Sequence, residues 1–330
     1  MTARVGRRSS QQLGAALLAA MLTVTLVATL AASALWQQYR GIEVETAERS
    51  RLQASWVLVG ALDWARLILR EDARSSSVDH LGEPWAIPLN EARLSTFIGA
   101  DTTTTVDKDD TAAEAFLSGL ITDQQARLNV FNLVDNGKIS EPSLKAFAKL
   151  FEALSLPPRE LDLMADNLRL AVIASSGTAT ATTNPGSNAA TNRDLLLPQR
   201  VEQLVWLGLS DKTLDVLKPH ITLLPLRTTV NINTADATVL YASVPGLDLP
   251  QAQRLVSARQ NNHFTVLADA AKVLGGTLQL DSATHSVNSR FFEVQGKMRL
   301  GEAVTQERSW VQRDGIAVKV LWRDRVSLTR

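Results

Sequence analysis

Side chains that could do chemistry are few in this chain and far apart in its sequence. The 330 residues include no cysteine and four histidines, which are His80, His220, His263 and His285. Their spacing is not that of a transition-metal site, and no phosphate-binding loop, dinucleotide fingerprint or nucleophile elbow is present. The absence of cysteine excludes thiol catalysis and disulfide bonds. The sequence therefore predicts a protein that is not an enzyme.

Carboxylates are concentrated in two stretches, Glu71–Glu83 and Asp101–Asp110. Calcium binds oxygen ligands of this kind, but neither stretch has the regular alternation of a dedicated calcium loop. We expect both stretches to be solvated polar loops. No cofactor is expected, and calcium is left open without any ligand residue assigned to it.

A pair of helices joined by a tight turn is predicted in the segment Val230–Phe264. Thr234 is the predicted N-cap of the first helix, and the turn is formed by Pro245, Gly246 and Leu247. The arrangement resembles a helix-hairpin-helix unit, in which backbone N–H groups at the turn often contact the phosphates of DNA.

Charge around this turn argues against DNA binding. Asp248 directly follows the turn, and no lysine or arginine lies between Arg227 and Arg254. The formal net charge of the chain is zero, so no overall attraction draws it to a polyanion. We expect no nucleic-acid partner and favour a purely structural helical pair. A membrane-anchored DNA-binding protein using residues 230–264 is kept as the alternative function.

The N-terminal region contains a segment that is long and apolar enough to span a membrane. The segment Ala15–Leu35 contains no charged residue, and as a helix it is roughly 30 Å long, which matches the hydrocarbon core of a bilayer. The arginines that precede it, at positions 4, 7 and 8, predict a cytoplasmic N-terminus. Hydropathy alone does not distinguish an uncleaved anchor from a long signal peptide.

Apolar residues continue at helical spacing beyond this segment. We call the following residues the apolar stripe: Ala54, Leu58, Ala61, Ala65 and Ile68. Their 4-3-4-3 spacing places them on one helix face, and no proline precedes Pro84 to break the helix. One long helix is predicted, with the apolar stripe facing the core of a soluble domain and a partner. Trp64 and Trp85 are also expected in the core.

The rest of the chain predicts strands, then helices, then strands. Extended structure is expected at Glu83–Thr105, with strands at Ala115–Ile121 and Ala126–Leu133. Two helices follow Ser140, an uncharged Ser/Thr/Gly-rich loop covers Ser175–Asn192, and further helical pattern resumes after it. Three strands begin at Phe291, the last two joined by a hairpin turn at Arg313–Gly315. This order predicts an α+β fold with an all-helical domain inserted into it.

Several short segments, in this order and spacing, resemble the minor pseudopilin K subunits of type II secretion systems (general secretion pathway protein K). The resemblance covers nearly the whole chain. It is carried by RSSQQLGAALL, LDWARLIL, DHLGEPWA, ITDQQARLNVFNLV, NRDLLLPQRVEQLVWL, ITLLPLRTTVNINTA and VSARQNNHF.

The resemblance implies that the leader is cut on the cytoplasmic side, directly after a glycine, by a dedicated prepilin peptidase. The matching glycine is Gly14, so the mature chain would begin at Ala15 and be N-methylated there. The apolar helix would then survive cleavage.

Most pilin-like subunits carry glutamate as the fifth mature residue, whereas this chain has Ala19, as K-type subunits do. In the filament that buried carboxylate pairs with the N-terminal amine of the neighbouring subunit, and an unpaired buried charge costs on the order of several kcal/mol. A subunit with no neighbour above it can dispense with the carboxylate. Ala19 is therefore consistent with a position at the filament tip.

The resemblance also implies a fold and a division into domains. The expected fold is a long N-terminal transmembrane helix on a pilin-like antiparallel sheet, with an inserted all-helical domain that contains the helix-hairpin-helix-like unit. The predicted segments are a leader at 1–14, a transmembrane helix at 15–36, the first part of the pilin-like domain at 37–139, the insertion at 140–275 and the C-terminal strands at 276–330.

The implied function is that of a minor pseudopilin, which forms the tip of the periplasmic pseudopilus and helps to initiate its assembly for protein export. The expected partners are minor pseudopilins of the I, J and, as a further candidate, H types, the major pseudopilin, the prepilin peptidase and the inner-membrane assembly platform. The expected location is the bacterial inner membrane, single-pass, with the globular part in the periplasm. Family members bind calcium, but an acidic stretch is here replaced by the loop Ser175–Asn192, which puts calcium binding in doubt.

Overall fold

A computed structural model describes residues 12–94, 115–175, 196–276, 278, 280–301 and 303–328 of the protein. The acidic stretch Asp101–Asp110 and all but the first residue of the loop Ser175–Asn192 lie outside the described residues. Contacts divide the chain into two units, Met1–Val57 and Leu58–Arg330.

The described elements follow the predicted order. The helices are α1 (Gln12–Ser75), α2 (Glu141–Ala153), α3 (Pro158–Ser175), α4 (Asp211–Leu217), α5 (Ala237–Ser243), α6 (Leu249–Asn261) and α7 (Leu267–Val273), with 3-10 turns at Pro84–Ala86, Gln124–Ala126, Val130–Leu133 and Val201–Leu207. The strands are β1 (Leu89–Arg93), β2 (Ala115–Asp123), β3 (Leu128–Asn129), β4 (Val134–Asp135), β5 (Lys138–Ile139), β6 (Ile221–Thr222), β7 (Val230–Asn231), β8 (His285–Ser286), β9 (Phe291–Leu300), β10 (Ala303–Asp314) and β11 (Ala317–Leu328).

The described part of the first unit is the N-terminal portion of α1. This helix is long and apolar enough to cross a membrane by length and composition, and its uncharged N-terminal portion is exposed. The hydroxyls of Thr23, Thr25 and Thr29 donate hydrogen bonds of 2.9–3.0 Å to carbonyls one turn earlier. A hydroxyl that is satisfied within its own helix does not need water, so these residues are compatible with a lipid environment.

The second unit is built on a five-stranded antiparallel sheet in the order β1-β2-β9-β10-β11. The predicted hairpin between β10 and β11 is present, and Gly315 at its turn has a φ of 58°, which glycine adopts without strain. Gly119 and Gly296 face each other on β2 and β9. A Cβ on Gly296 would lie 3.0 Å from Leu58, so this glycine allows α1 to approach the sheet closely.

The C-terminal part of α1 packs on this sheet. Leu62, Ala65 and Leu69 share a buried cluster with residues of the sheet and with Trp85. Trp85 is 1% exposed, as predicted, and its ring meets Phe292 edge-on at 5.2 Å between centroids. The expectation that Trp64 is in the core is wrong, because this side chain is 49% exposed. It directly precedes Ala65 of the apolar stripe, and successive helix positions are about 100° apart around the axis, so the sheet covers this side chain only in part.

The helical region between β2 and β9 has a core of its own. This core includes Leu128 and Val130, ahead of the predicted start of the insertion at residue 140, and extends to Leu274. Two-residue strands occur here as well as helices, in the parallel pairs β3–β6 and β7–β8 and the antiparallel pair β4–β5. The α+β class with a helical insertion is thus confirmed, although the insertion is not purely helical.

The predicted strand Ala126–Leu133 is wrong. Only Leu128 and Asn129 are extended, and 3-10 turns flank them. The Asn129 side chain accepts a hydrogen bond from the Phe131 N–H at 3.1 Å. Asparagine side chains that bind the nearby backbone compete with strand pairing, which explains why the alternating apolar pattern does not continue as a strand.

Candidate functional site

A buried cluster of polar side chains joins α1, the sheet and the helical insertion. We call it the polar junction, and its members are Asp72, Asp79, Glu83, Asp123, Asn231, Thr234, Ser289 and Arg313. These residues come from the end of α1, the loop that follows it, β2, the start of the helix pair, the segment before β9, and β10. The sequence had named Thr234 as an N-cap, Arg313 as part of a hairpin turn and Glu71–Glu83 as a carboxylate-rich stretch, but it did not indicate that these residues meet.

Arg313 is the cation of the polar junction. Its Nη1 donates to Asp72 Oδ2 at 2.8 Å, and its Nη2 donates to both carboxylate oxygens of Asp79 at 2.5 and 2.6 Å. Nη2 also donates to the Ser289 carbonyl at 2.9 Å. A guanidinium suits such planar, multiple recognition of carboxylates. Because all three residues are at most 9% exposed, the pairing takes place away from water.

Asp123 is the fully buried end of the junction and has neutral donors only. It accepts hydrogen bonds from the hydroxyls of Ser289 and Thr234, both at 2.6 Å, from Asn231 Nδ2 at 3.1 Å and from the Gln125 N–H at 2.7 Å. Burial raises the pKa of Asp123 to about 6, although these hydrogen bonds oppose the rise. Asp123 thereby connects β2 to the first residues of the helix pair.

Asp72 and Glu83 form a pair of carboxyl groups next to Arg313. Their carboxylate oxygens lie within 4.8 Å of each other, so a proton on one of them relieves the repulsion between two like charges. Burial and then the Glu83 charge raise the pKa of Asp72 to about 7. Glu83 also accepts hydrogen bonds from Trp85 Nε1 at 2.7 Å and from the His80 N–H at 3.0 Å. The expectation of a solvated loop at Glu71–Glu83 is therefore wrong for its three buried carboxylates.

The three buried carboxylates next to Arg313 have the spacing of a possible calcium site. Oxygens of Asp72, Asp79 and Glu83 lie within 4.8 Å of one another, which alone would suit a divalent cation. However, the Arg313 guanidinium already supplies the positive charge and binds two of the three groups. The arrangement fits a guanidinium and does not fit calcium. Calcium binding by the chain stays a prediction without assigned ligands.

The apolar stripe lies along a groove between α1 and the sheet. In the second unit, Leu58 and Ala65 are buried, whereas Ala61 and Ile68 are half-buried. All four line a groove of about 270 Å³ that also includes Trp64 on the outer side. Ala54, in the first unit, is buried. In the second unit, Leu58 and Ala65 thus face the core. Contact of the half-buried Ala61 and Ile68 with a partner stays a prediction.

The predicted turn of the helix pair is present, but its surroundings are not those of a phosphate site. Gly246 has a φ of 78°, and the Asp248 carboxylate caps α6 by accepting from the Gln251 N–H at 2.6 Å. Lys149 Nζ donates to the carbonyls of Val244 and Leu247 at 3.1 and 3.3 Å, and also to that of Tyr241. The turn therefore directs carbonyls to a lysine and carries a carboxylate, both unfavourable for binding phosphate.

The first helix of the pair begins two residues later than predicted. Its N-cap is Asp236, whose carboxylate accepts from the Val239 N–H at 2.7 Å. Thr234, the predicted N-cap, instead donates to Asp123 in the polar junction. Both residue types are good N-caps, so the sequence alone did not separate them.

The predicted processing positions lie at the start of α1. Gly14, Ala15 and Ala19 are all within the helix, and Ala15 and Ala19 are exposed. Their roles in leader cleavage, N-methylation and filament contacts stay predictions.

Comparison with known proteins gives one consistent family. Two models described as "Type II secretion system (T2SS), protein K" match residues 126–226 and 230–288. A Pseudomonas aeruginosa protein named "Type II secretion system protein K" is 28% identical, with 95% of this chain and 92% of that protein covered. A chain in the crystal structure of the GspK-GspI-GspJ complex from the enterotoxigenic Escherichia coli Type 2 Secretion System is similar, with a TM-score of 0.56 at 18% identity. The match covers 85% of this chain and 98% of that one, so it supports the fold.

Replacing Arg313 by methionine should destabilise the protein strongly. Asp72 and Asp79 would lose their buried cation, and breaking such a pair costs about 3–5 kcal/mol. The free energy of unfolding of the full chain in detergent micelles should fall by that amount in a urea titration. Arg308→Met, on the same strand, removes a cation whose carboxylate contact is 3.6 Å and partly exposed, and it should cost less than about 1 kcal/mol. Equal losses for the two variants would contradict this role of Arg313.

The Asp72–Glu83 pair should make stability depend on pH. The pKa of Asp72 is raised in the folded protein, from 3.8 to about 7. The folded state therefore holds a proton that the unfolded state has lost, and stability falls as pH rises from about 4 to about 7. Over this range the wild type should lose on the order of 1–3 kcal/mol relative to Asp72→Asn.

The control for this titration is Asp166→Asn, because Asp166 is exposed on α3. Urea unfolding at a series of pH values should give a constant difference between the wild type and this control. A constant difference for Asp72→Asn as well would show that the pair holds no extra proton.

Proposed function

We propose that the chain is a member of the type II secretion system protein K family and that, as a minor pseudopilin, it forms the tip of the periplasmic pseudopilus and helps to initiate its assembly. The observation that carries the proposal is the continuous helix α1 (Gln12–Ser75). Its N-terminal part is uncharged and exposed, and from Leu58 onward it packs in the core of the sheet. One helix can thus be a membrane anchor first and a filament core later.

The helix is consistent with a single-pass membrane anchor. We propose that this anchor lies in the bacterial inner membrane with the N-terminus in the cytoplasm and residues after the helix in the periplasm. The three arginines before Ala15 and the absence of charge up to Leu35 support this orientation.

A tip position is supported by two features of the chain. Ala19 replaces the carboxylate that other pilin-like subunits offer to a neighbour. The helical insertion, with its own buried core, adds bulk that the stacking of a further subunit would have to accommodate. Both features suit a subunit with neighbours on one side only.

We propose minor pseudopilins of the I and J types as direct partners. The fold is similar to that of a chain solved in a GspK-GspI-GspJ complex, which supports this choice. The H-type minor pseudopilin, the major pseudopilin, the prepilin peptidase and the assembly platform are proposed as further partners. We propose a structural, non-enzymatic role. The DNA-binding alternative has no support in the comparisons, and the carboxylate and lysine at its turn oppose it.

Processing at Gly14 gives the first test. The protein isolated from cells with an active prepilin peptidase should have a mass equal to residues 15–330 plus one methyl group, as measured by intact mass spectrometry. Gly14→Leu should remain at the full-length mass, whereas Gly41→Leu, later in the same helix, should be processed normally. A mature N-terminus located after the apolar segment would contradict the proposal.

Association with the I-type and J-type subunits gives the second test. The full chain should co-purify with both when all three are co-expressed. Trp64→Glu places a charge in the lining of the groove and should reduce recovery of the partners at least about tenfold, because an aromatic residue that anchors an interface often contributes about 2 kcal/mol or more.

Trp206→Glu is the matched control for this experiment, since Trp206 is also about half exposed but lies on the insertion. It should leave recovery unchanged. Failure of the wild type to recover either partner would overturn the partner assignment, and equal recovery with both variants would exclude the groove as the contact.

A further inference from the structure

Arg259, near the C-terminal end of α6, is a partly buried cation without a carboxylate partner among the residues that the structure describes. Its Nη1 donates to the Ile232 carbonyl at 2.6 Å. Burial lowers its pKa to about 10, and the Asp236 charge opposes this only in part. Asp236 is itself engaged by His220 at 2.9 Å. A charge that is removed from water needs a counter-charge close by, and the described residues supply none at ion-pair distance.

This guanidinium lines a polar pocket of about 380 Å³ between the loop after α1 and the end of α6. The polar side chains that line it are two imidazoles, the guanidinium and four amides, from His80, His263, Arg259, Asn233, Gln260, Asn261 and Asn262. None of the described residues lining the pocket is acidic. The ionisable groups of the wall are thus all potential donors of positive charge or of N–H hydrogen bonds.

The two imidazoles lie stacked at the pocket. Their ring centroids are 3.8 Å apart and their planes differ by 7°. His80 Nδ1 accepts from the Gly82 N–H at 3.1 Å, so that nitrogen carries no proton. His263 makes no ring-nitrogen hydrogen bond within the described residues. Its ring is therefore available to donate to a ligand, together with the remaining N–H groups of Arg259.

Negative charge nearby limits what the pocket can accept. Glu83 Oε1 lies 3.9 Å from His80 Nε2, and Asp72 and Asp79 of the polar junction are within electrostatic range of His80. The carbonyls at the C-terminal end of α6 add partial negative charge. A multiply charged anion is disfavoured here, whereas a singly charged group that accepts from a guanidinium and an imidazole is suited.

We propose that this pocket binds one carboxylate group, either of a small free acid or of a protein chain end. The geometry of a guanidinium beside an imidazole and two amides provides several N–H donors for its two oxygens. The pocket shares no lining residue with the groove, and the inference does not rest on the proposed function.

The experiment uses the full chain in detergent micelles with 13C-labelled histidine. Sodium acetate is titrated against sodium chloride at the same ionic strength, and the four histidine C2–H resonances are followed. The resonances of His80 and His263 should shift and saturate with a Kd on the order of 1–10 mM. Those of His220 and His285, outside the pocket, should remain unchanged. Shifts of the same size in chloride, or shifts at all four histidines, would overturn the proposal.

Variants separate a binding role from a structural one. Arg259→Gln should weaken acetate binding at least about tenfold, while Arg254→Gln, an exposed position on the same helix, should bind as the wild type does. Arg259→Lys keeps the charge and should retain part of the affinity for acetate. This variant can be measured in place of Arg259→Gln if the glutamine variant does not fold. The assignment would be refuted if Arg259→Gln, or Arg259→Lys where the glutamine variant does not fold, bound acetate as tightly as the wild type. A change of acetate affinity in Arg254→Gln would also refute it.

Two further titrations distinguish the source of the carboxylate. N-acetylalanine presents the carboxylate of a peptide end, and tighter binding than acetate would assign the pocket to a protein C-terminus. Binding equal to that of acetate would assign it to small acids. Inorganic phosphate tests the charge limit, and phosphate binding tighter than both carboxylates would overturn the choice of a singly charged ligand.

Discussion

The buried guanidinium of Arg313 is the interaction on which the second unit depends. It holds the end of α1 through Asp72 and the following loop through Asp79, while its own strand lies inside the sheet. The helix is thereby fixed at its C-terminal end by charge and along its length by apolar packing. Because buried charges are costly when unpaired, the arrangement of these three elements is specified more sharply than apolar contact alone would achieve.

The polar junction also fixes the position of the helical insertion on the sheet. Ser289 and Asn231 contact both Asp79 and Asp123, so the charged half and the neutral half of the polar junction share their donors. Asp123 has no cation, and burial raises its pKa accordingly. The insertion is therefore joined to the sheet by directional hydrogen bonds. All of these bonds can form together in only one arrangement of the insertion and the sheet.

Much of the fold could be predicted from local sequence patterns. The apolar stripe and the Arg313–Gly315 turn each act within a few residues, and they correctly predicted a helix on the sheet and a hairpin. The polar junction could not be predicted in this way, since Asp72 and Arg313 are 241 residues apart and nothing near either residue indicates the other. A weak signal existed, because Arg313 follows Val311 at the inward-facing period of a strand.

Local errors had a similar origin. Thr234 and Asp236 are both competent N-caps, and the choice between them was made by Asp123, a residue on a distant strand. Trp64 and Trp85 are equally apolar, but Trp64 is half exposed, whereas Trp85 is buried in the cluster between α1 and the sheet. In each case a tertiary contact decided between two locally acceptable arrangements.

Arg313 follows Asp72 by 241 residues, and this separation has a consequence for the order in which the protein matures. A chain that emerges from N- to C-terminus exposes Asp72 and Asp79 long before β10 exists. Their shared cation is added only when β10 is synthesised, 241 residues after Asp72. Until then the carboxylates remain hydrated, and the insertion can build its own core but cannot be seated. Synthesis of β10 is thus the event that lets the end of α1, the loop after it and the sheet be fixed together, without any covalent closure.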